Sequence, residues 1–185
     1  GEITGDSTTA PTVGVIHENH FVVGGAPTAK NKIFFSATLD PESFSGTGSG
    51  SIQLTDAIVG LASFRSDLII FCKNSIFKLI NISDSSNIAV VPITQNVGCL
   101  DGNSIQEIGG DLLFLSPDGI RTVAGTARIG DVELSSVSRQ IQKITATIAN
   151  GINNFVITSG TLRSKSQYRL FYTNTSQSSS VSKGI

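Results

Sequence analysis

The feature that most constrains this chain is an internal repeat of one strand–turn–strand unit. The first copy is Asp67-Leu68-Ile69-Ile70-Phe71, then Asn74-Ser75, then Ile76-Phe77-Lys78-Leu79. The second is Asp111-Leu112-Leu113-Phe114-Leu115, then Asp118-Gly119, then Ile120-Arg121-Thr122-Val123. Asp111 follows Asp67 by 44 residues and Ile120 follows Ile76 by 44, so the spacing holds through the turn. A period of about 40–45 residues built from short strands predicts β-propeller blades. One small antiparallel sheet cannot bury both its faces, and stacking on a like sheet covers them, which forces repetition. The expected fold is all-β and mainly antiparallel, with propeller-like blades and one short amphipathic helix. Propellers host many functions, so the fold alone leaves the activity open.

Length and charge narrow the classes. At 185 residues the chain matches one average domain or a fragment of a larger protein. Its formal net charge of −1 supplies no global field toward nucleic acid or membrane. Charged residues make up 15%, against roughly 25% in ordinary globular chains. That deficit fits short strands joined by tight turns, and equally a surface largely covered by partner subunits. The chain has no Met, so it is expected to be a processed or partial product. No apolar run reaches the ~18 residues of a spanning helix, so no membrane span is expected. Cys72 and Cys99 show no metal or redox spacing and sit among apolar residues. They read as buried reduced thiols, with a disulfide between them left open.

Along the chain, residues 1–11 read as an arm or lead-in strand, 12–173 as a propeller-type domain, and 174–185 as a Ser-rich disordered or truncated tail. Val13 to Ile16, Phe21 to Val23 and Ile33 to Ala37 read as short strands, with Gly24-Gly25-Ala26-Pro27 expected to break the pattern between the last two. Residues 40–51 read as a loop, flexible through its Gly/Ser stretch. No Lys and no helix pattern follow those glycines, which argues against a phosphate-binding loop. The strand from Ile76 is expected to run to about Ile82, and Pro92 marks a broken or edge strand. Val137, Ile141, Ile144 and Ile148 recur with helical period, predicting a helix over 135–149, with Ser135 or Ser136 as N-cap and Asn150-Gly151 as the stop.

Several motifs then fall in a suggestive order: Phe21-Val22-Val23-Gly24-Gly25, Ile33-Phe34-Phe35-Ser36, Asp40-Pro41-Glu42-Ser43-Phe44 and Ile58-Val59-Gly60-Leu61. Val97-Gly98-Cys99 and Leu113-Phe114-Leu115-Ser116-Pro117-Asp118-Gly119-Ile120 follow, and then the predicted helix. Across residues 12–145 this series resembles the tail nozzle proteins of short-tailed bacteriophages, also called packaged-DNA stabilisation or tail tubular proteins. The resemblance implies a structural virion component, assembled in the bacterial cytoplasm and located in the virion tail. It implies a homo-oligomeric ring, usually a hexamer, that continues the channel below the portal and adaptor and contacts other tail proteins. Such a ring retains packaged genome until ejection and touches double-stranded DNA transiently and without sequence preference. Proteins of that family are usually several times longer, which again suggests a fragment.

The residues offer little catalytic chemistry. His17 and His20 flank Glu18 at a turn between strand runs, and strand alternation is expected to send their side chains in different directions, into solvent. Two imidazoles with no third ligand nearby do not make a zinc site. Ser116-Pro117-Asp118-Gly119 is similar to the turn of sialidase-type propellers but lacks its Trp, so Asp118-Gly119 reads as a hairpin turn. On that reading Asp118→Asn costs about 1 kcal/mol or less. The 14 acidic residues are scattered and mostly at turns, unlike the facing pair of a glycosidase. No nucleophile elbow and no Cys matched to a His is present. The expectation is therefore no enzyme, no catalytic residue, no metal and no cofactor. Arg121, Arg128, Arg139 and Lys143 lie between the second repeat and the helix and are candidate contacts to DNA phosphates or to a neighbouring subunit. The alternative to the nozzle is a propeller module that binds host-surface glycan or protein. The absence of Trp and the presence of only two Tyr weigh against glycan stacking.

Overall fold

A computed structural model describes residues 10–124, 142–176 and 183–184. The chain divides into two compact units, Gly1–Gly98 and Cys99–Ile185. Both are built from small antiparallel sheets, so the fold is mainly antiparallel β, in four blade-like sheets.

In the first unit, β1 (Val13–His17), β2 (His20–Ala26), β3 (Ala29–Phe35) and β4 (Gly50–Gln53) form one sheet in that order. Glu18 and Asn19 link β1 to β2 with φ of 43° and 65°, the left-handed pair whose twist matches that of the flanking strands. The interruption expected at Gly24-Gly25 is instead a bulge. β2 continues to Ala26, and its register against β3 shifts between Gly24 and Ala26. Gly25 takes φ of 70°, and a Cβ there would come within 2.5 Å of Thr12 Oγ1. The loop expected over 40–51 ends early, because Gly50–Gln53 pair with β3 as its edge strand. Main-chain pairing overrides the weak strand propensity of Gly and Ser at this edge.

A second sheet follows in the same unit: β5 (Ile58–Phe64), β6 (Asp67–Cys72), β7 (Ile76–Ile80) and β8 (Ala89–Thr94). β7 stops at Ile80, short of Ile82, because Asn81 turns the chain with φ of 58°. Pro92 lies on the edge strand β8, where its missing N–H costs no interior ladder bond. Every residue of β6 from Leu68 to Cys72 is buried. Leu68, Ile70 and Cys72 join Phe77 and Leu79 of β7 in a core against Val22, Ile33 and Phe35 of the first sheet. Alternation sends Ile69 and Phe71 to the opposite face, and Phe71 is 0% exposed. β6 is therefore buried on both faces. Asp56 ties the ends of this sheet together, accepting hydrogen bonds from Ala57 N (2.8 Å), Asn74 N (2.6 Å) and Ser75 Oγ (2.9 Å). Partial burial works against its ionisation, but these bonds hold its carboxyl below the usual range.

The second unit has two three-stranded sheets. β9 (Gln106–Ile108), β10 (Asp111–Ser116) and β11 (Gly119–Thr122) run in the order β11-β10-β9. β12 (Phe155–Leu162), β13 (Gln167–Asn174) and β14 (Lys183–Gly184) form the other. Lys183 and Gly184 pair with Tyr172 and Phe171, inside the segment whose composition suggests a disordered tail. The repeat is one of register as well as sequence. Phe71 pairs with Ile76 and Leu115 with Ile120, while Ile70 pairs with Phe77 and Phe114 with Arg121. Three of the four pairings in the second hairpin thus reproduce pairings in the first, 44 residues on.

The helix α1 (Gln142–Asn150) covers the latter part of the predicted 135–149 span. Val137, Ile141 and both proposed N-cap serines lie outside the described residues. The helix ends at Asn150 as expected, with Gly151 N bonded to Ile148 O at 3.2 Å. Its inward face differs from expectation, since Thr145 and Ile148 are buried while Ile144 is 37% exposed. Ile148 packs with Leu115, Ile120, Ile157 and Leu170 in the core of this unit.

Truncating Ile70, fully buried in the first core, is expected to cost about 2–5 kcal/mol by lost transfer energy and cavity formation. Ile16→Ala, at a residue 71% exposed, should stay within about 0.5 kcal/mol of wild type. Urea unfolding midpoints check the contrast, and equal losses for the two variants would contradict this packing.

Candidate functional site

Of the four candidate cations, two, Arg121 and Lys143, lie in the described residues, and only Lys143 is exposed. Arg128 and Arg139 lie outside the described residues. Lys143 is exposed on α1. Arg121, on β11, is 2% exposed, so its guanidinium is not available to a phosphate backbone. It donates from Nε to Asp118 Oδ1 at 2.8 Å and to Ser116 Oγ at 3.0 Å, and from Nη2 to Asp118 Oδ2. Ser116 Oγ also lies 2.5 Å from Asp118 Oδ1 and 3.0 Å from Gly119 O. Burial lowers the Arg121 pKa.

This cluster gives Asp118 a second task. The hairpin is present, but its turn is Pro117-Asp118 rather than Asp118-Gly119, because Gly119 already pairs with Ser116 as the first residue of β11. The same carboxylate neutralises a buried guanidinium, which the turn reading alone does not include. The repeat held a signal for it. Arg121 stands 44 residues after Phe77, and Phe77 faces the first core. An arginine at an inward position needs a built-in anion.

The histidine hairpin also departs from expectation. His17 and His20 are 2% and 1% exposed rather than solvated. They pair directly across the Glu18-Asn19 turn, and directly opposed residues share a face of the sheet. Alternation within one strand does not apply to residues on two different strands. His20 Nδ1 lies 2.6 Å from Ser36 O, so that nitrogen carries the proton and donates. His17 Nδ1 lies 2.8 Å from Ser63 Oγ on β5. His17 Nε2 is buried without a hydrogen-bond partner among the described residues. In the imidazolium both ring nitrogens carry an N–H, and the one at Nε2 has no acceptor among the described residues. Burial accordingly lowers the His17 pKa, against the opposing pull of the Glu18 and Asp67 carboxylates, while His20 lowers it further.

Other reactive groups are muted. Burial pushes the Cys72 and Cys99 thiols up to about 12, far from a reactive thiolate. Both are free and buried. The Tyr168 hydroxyl donates to Ser104 O at 2.8 Å, and burial raises its pKa. Ser104 in turn accepts from Leu115 N at 3.0 Å and donates to Asp101 O at 2.5 Å, so these groups brace the second unit. Among the described residues no group of three or more His, Cys, Asp or Glu is placed to hold a metal.

Two outcomes follow from this geometry. Removing one partner of a fully buried ion pair costs about 3–5 kcal/mol. The Asp118 side chain is 47% exposed, so water shares its task, and Asp118→Asn is expected to cost about 1–3 kcal/mol. A chemical-denaturation loss well under 1 kcal/mol would show that the pair contributes nothing. For His17, the folded pKa lies below the unfolded value of about 6.5. The neutral form therefore supports the fold above that pH, and this contribution fades as pH falls through 6.5 toward the folded pKa. His17→Gln should flatten the loss of stability as pH falls below about 6.5, read from unfolding midpoints; an unchanged slope would contradict the assignment.

No family model matches this chain, and no curated protein matches it. Among solved structures, the chain is similar to the crystal structure of the N-terminal domain of Nup159. The similarity has a TM-score of 0.39 at 10% identity, over 90% of this chain and 40% of that one. This chain therefore spans less than half the length of that domain.

Proposed function

We propose that this chain is a structural subunit of the tail nozzle ring of a short-tailed bacteriophage. The observation that carries the proposal is the ordered series of motifs from Phe21 to Ile120, of which four fall on strands, while Asp40–Phe44 and Val97–Cys99 lie in connections. Phe21–Gly25 lies in β2, Ile33–Phe35 ends β3, Ile58–Leu61 opens β5, and Leu113–Ile120 spans the β10–β11 hairpin. Their order and spacing support the resemblance more than any one of them does.

On this reading the chain catalyses no reaction and works mechanically. Copies close into a ring, six in number, within the virion tail, where they meet the portal, adaptor and other tail proteins. The ring retains the packaged genome and then conducts it. A near-neutral chain suits that task, because DNA must slide and a strongly basic lumen would hold it. The burial of Arg121 leaves Lys143 as the exposed cation among the two described candidates. Contact with DNA is accordingly weak and independent of sequence.

The second reading is a host-surface binding module. Phe171 favours it, since the ring is 41% exposed on the open face of β13. Tyr168 and Tyr172 do not add to such a platform. Tyr168 is bonded to Ser104, and Tyr172 stacks edge-on with Phe155 at 6.0 Å.

Native mass spectrometry of the full-length protein, with image reconstruction of the parent particle, separates the readings. The nozzle reading predicts a closed six-fold ring in the tail, with obligate interfaces burying over about 2,000 Å² each. A stable monomer with no place in a virion overturns it. Glycan binding abolished by Phe171→Ala would favour the second reading.

A further inference from the structure

The first sheet carries an open cleft of about 380 Å³ that neither function explains. That volume lies at the lower end of the ~300–1,000 Å³ typical of ligand sites. Gly14, Phe21, Val23, Phe44 and Pro41 line it, with Thr12 as a polar and Glu42 as a charged lining residue. Phe21 and Phe44 meet edge-on, with ring centroids 6.4 Å apart and planes at 63°. Gly14 keeps the cleft open. It sits inside β1 without a positive φ, so its backbone does not require glycine. A Cβ there would lie 3.2 Å from the Phe21 ring and 3.5 Å from Val23, which places any side chain at this position against the cleft wall. Glycine inside a strand weakens it and marks the close approach of another group.

The charge pattern selects the occupant. Glu42 is exposed, and its carboxylate has no ion-pair partner among the described residues. Its backbone N–H donates to Asp40 Oδ1 at 3.3 Å, which steadies the loop and brings a second carboxylate nearby. Among the described residues no cationic side chain lines the cleft. Two phenyl rings beside a free carboxylate suit an arginine. Its planar guanidinium stacks on aromatic faces, pairs with a carboxylate through two N–H groups, and sheds water more readily than an ammonium. Apart from Thr12 the lining is otherwise apolar, so the stem and its neighbours bind by contact. A sugar would find too few polar partners here.

We propose that this cleft docks an arginine side chain presented by an extended segment of a protein partner. The assignment does not depend on the nozzle reading, and a failed ring would leave it standing. The probe is an end-blocked Pro-Leu-Arg-Leu-Pro peptide, titrated into the isotope-labelled chain and followed by amide chemical shifts. Saturable shifts confined to the neighbourhood of residues 11–14, 21–23 and 41–44 are expected, with a Kd on the order of 1 mM. Replacing the peptide's arginine by glutamate should abolish them. Glu42→Gln should weaken binding about fivefold, the loss of roughly 1 kcal/mol from one exposed charge-assisted contact. Gly14→Val, which fills the cleft, should abolish binding; where that variant fails to fold, Glu42→Gln decides. Absent saturation, equal binding of the glutamate peptide, or unchanged affinity in the decisive variant would overturn the proposal. Equally tight binding of arginine amide alone would assign the cleft to a small cation and overturn the protein partner.

Discussion

The structure depends on face-to-face burial of small antiparallel sheets. A strand such as β6 exposes almost nothing on either side, so its sheet is stable only between two covers. Val22, Ile33 and Phe35 of the first sheet supply one of them, packing on Leu68, Ile70 and Leu79. Much of the rest follows from that need. Central strands become continuous apolar runs, edge strands absorb Pro92 and the glycines around β4, and connections shrink to tight turns. Polar anchors then fix the turns to the sheets, as Asp56 does for the β6–β7 loop and Ser104 for β10.

The central hairpins were legible because apolar continuity and turn chemistry act locally. Leu68–Phe71 and Leu112–Leu115 announce themselves as buried strands, and the 44-residue offset carries their register unchanged. The pieces that were not legible depend on partners distant in sequence. β4 is a strand because β3 offers it an edge, which no local property of Gly50–Gln53 shows. Gly25 continues a strand as a bulge because Thr12 and β3 meet it there. On α1, Ile144 fits the helical period, yet burial follows the Thr145 and Ile148 direction that faces Ile157 and Leu170.

The same principle governs the polar groups. Sequence counts Arg121 among surface cations, although its alignment with Phe77 places it on an inward face, and Asp118 is positioned three residues before it to compensate. His17 and His20 look like turn residues, but the turn is the two residues between them, and the histidines close the sheet beneath it. A hydroxyl from β5 reaches one and a carbonyl after β3 reaches the other. These groups secure the fold rather than present chemistry outward. What the first sheet does present outward is the cleft between Phe21 and Phe44, where an unfilled strand position meets an unpaired carboxylate.

Native-state hydrogen exchange measures the two-faced burial of the repeated hairpins most directly. β6 and β10 carry buried side chains on both faces, whereas β13, also central in its sheet, buries Leu170 on one face and exposes Phe171 on the other. Ladder pairing alone would protect all three alike. Amides of Leu68–Cys72 and Leu112–Leu115 are expected to exchange only through the largest openings, and those of β13 through smaller, local ones. Equal protection of β13 and β6, or faster exchange in β6, would contradict two-faced burial.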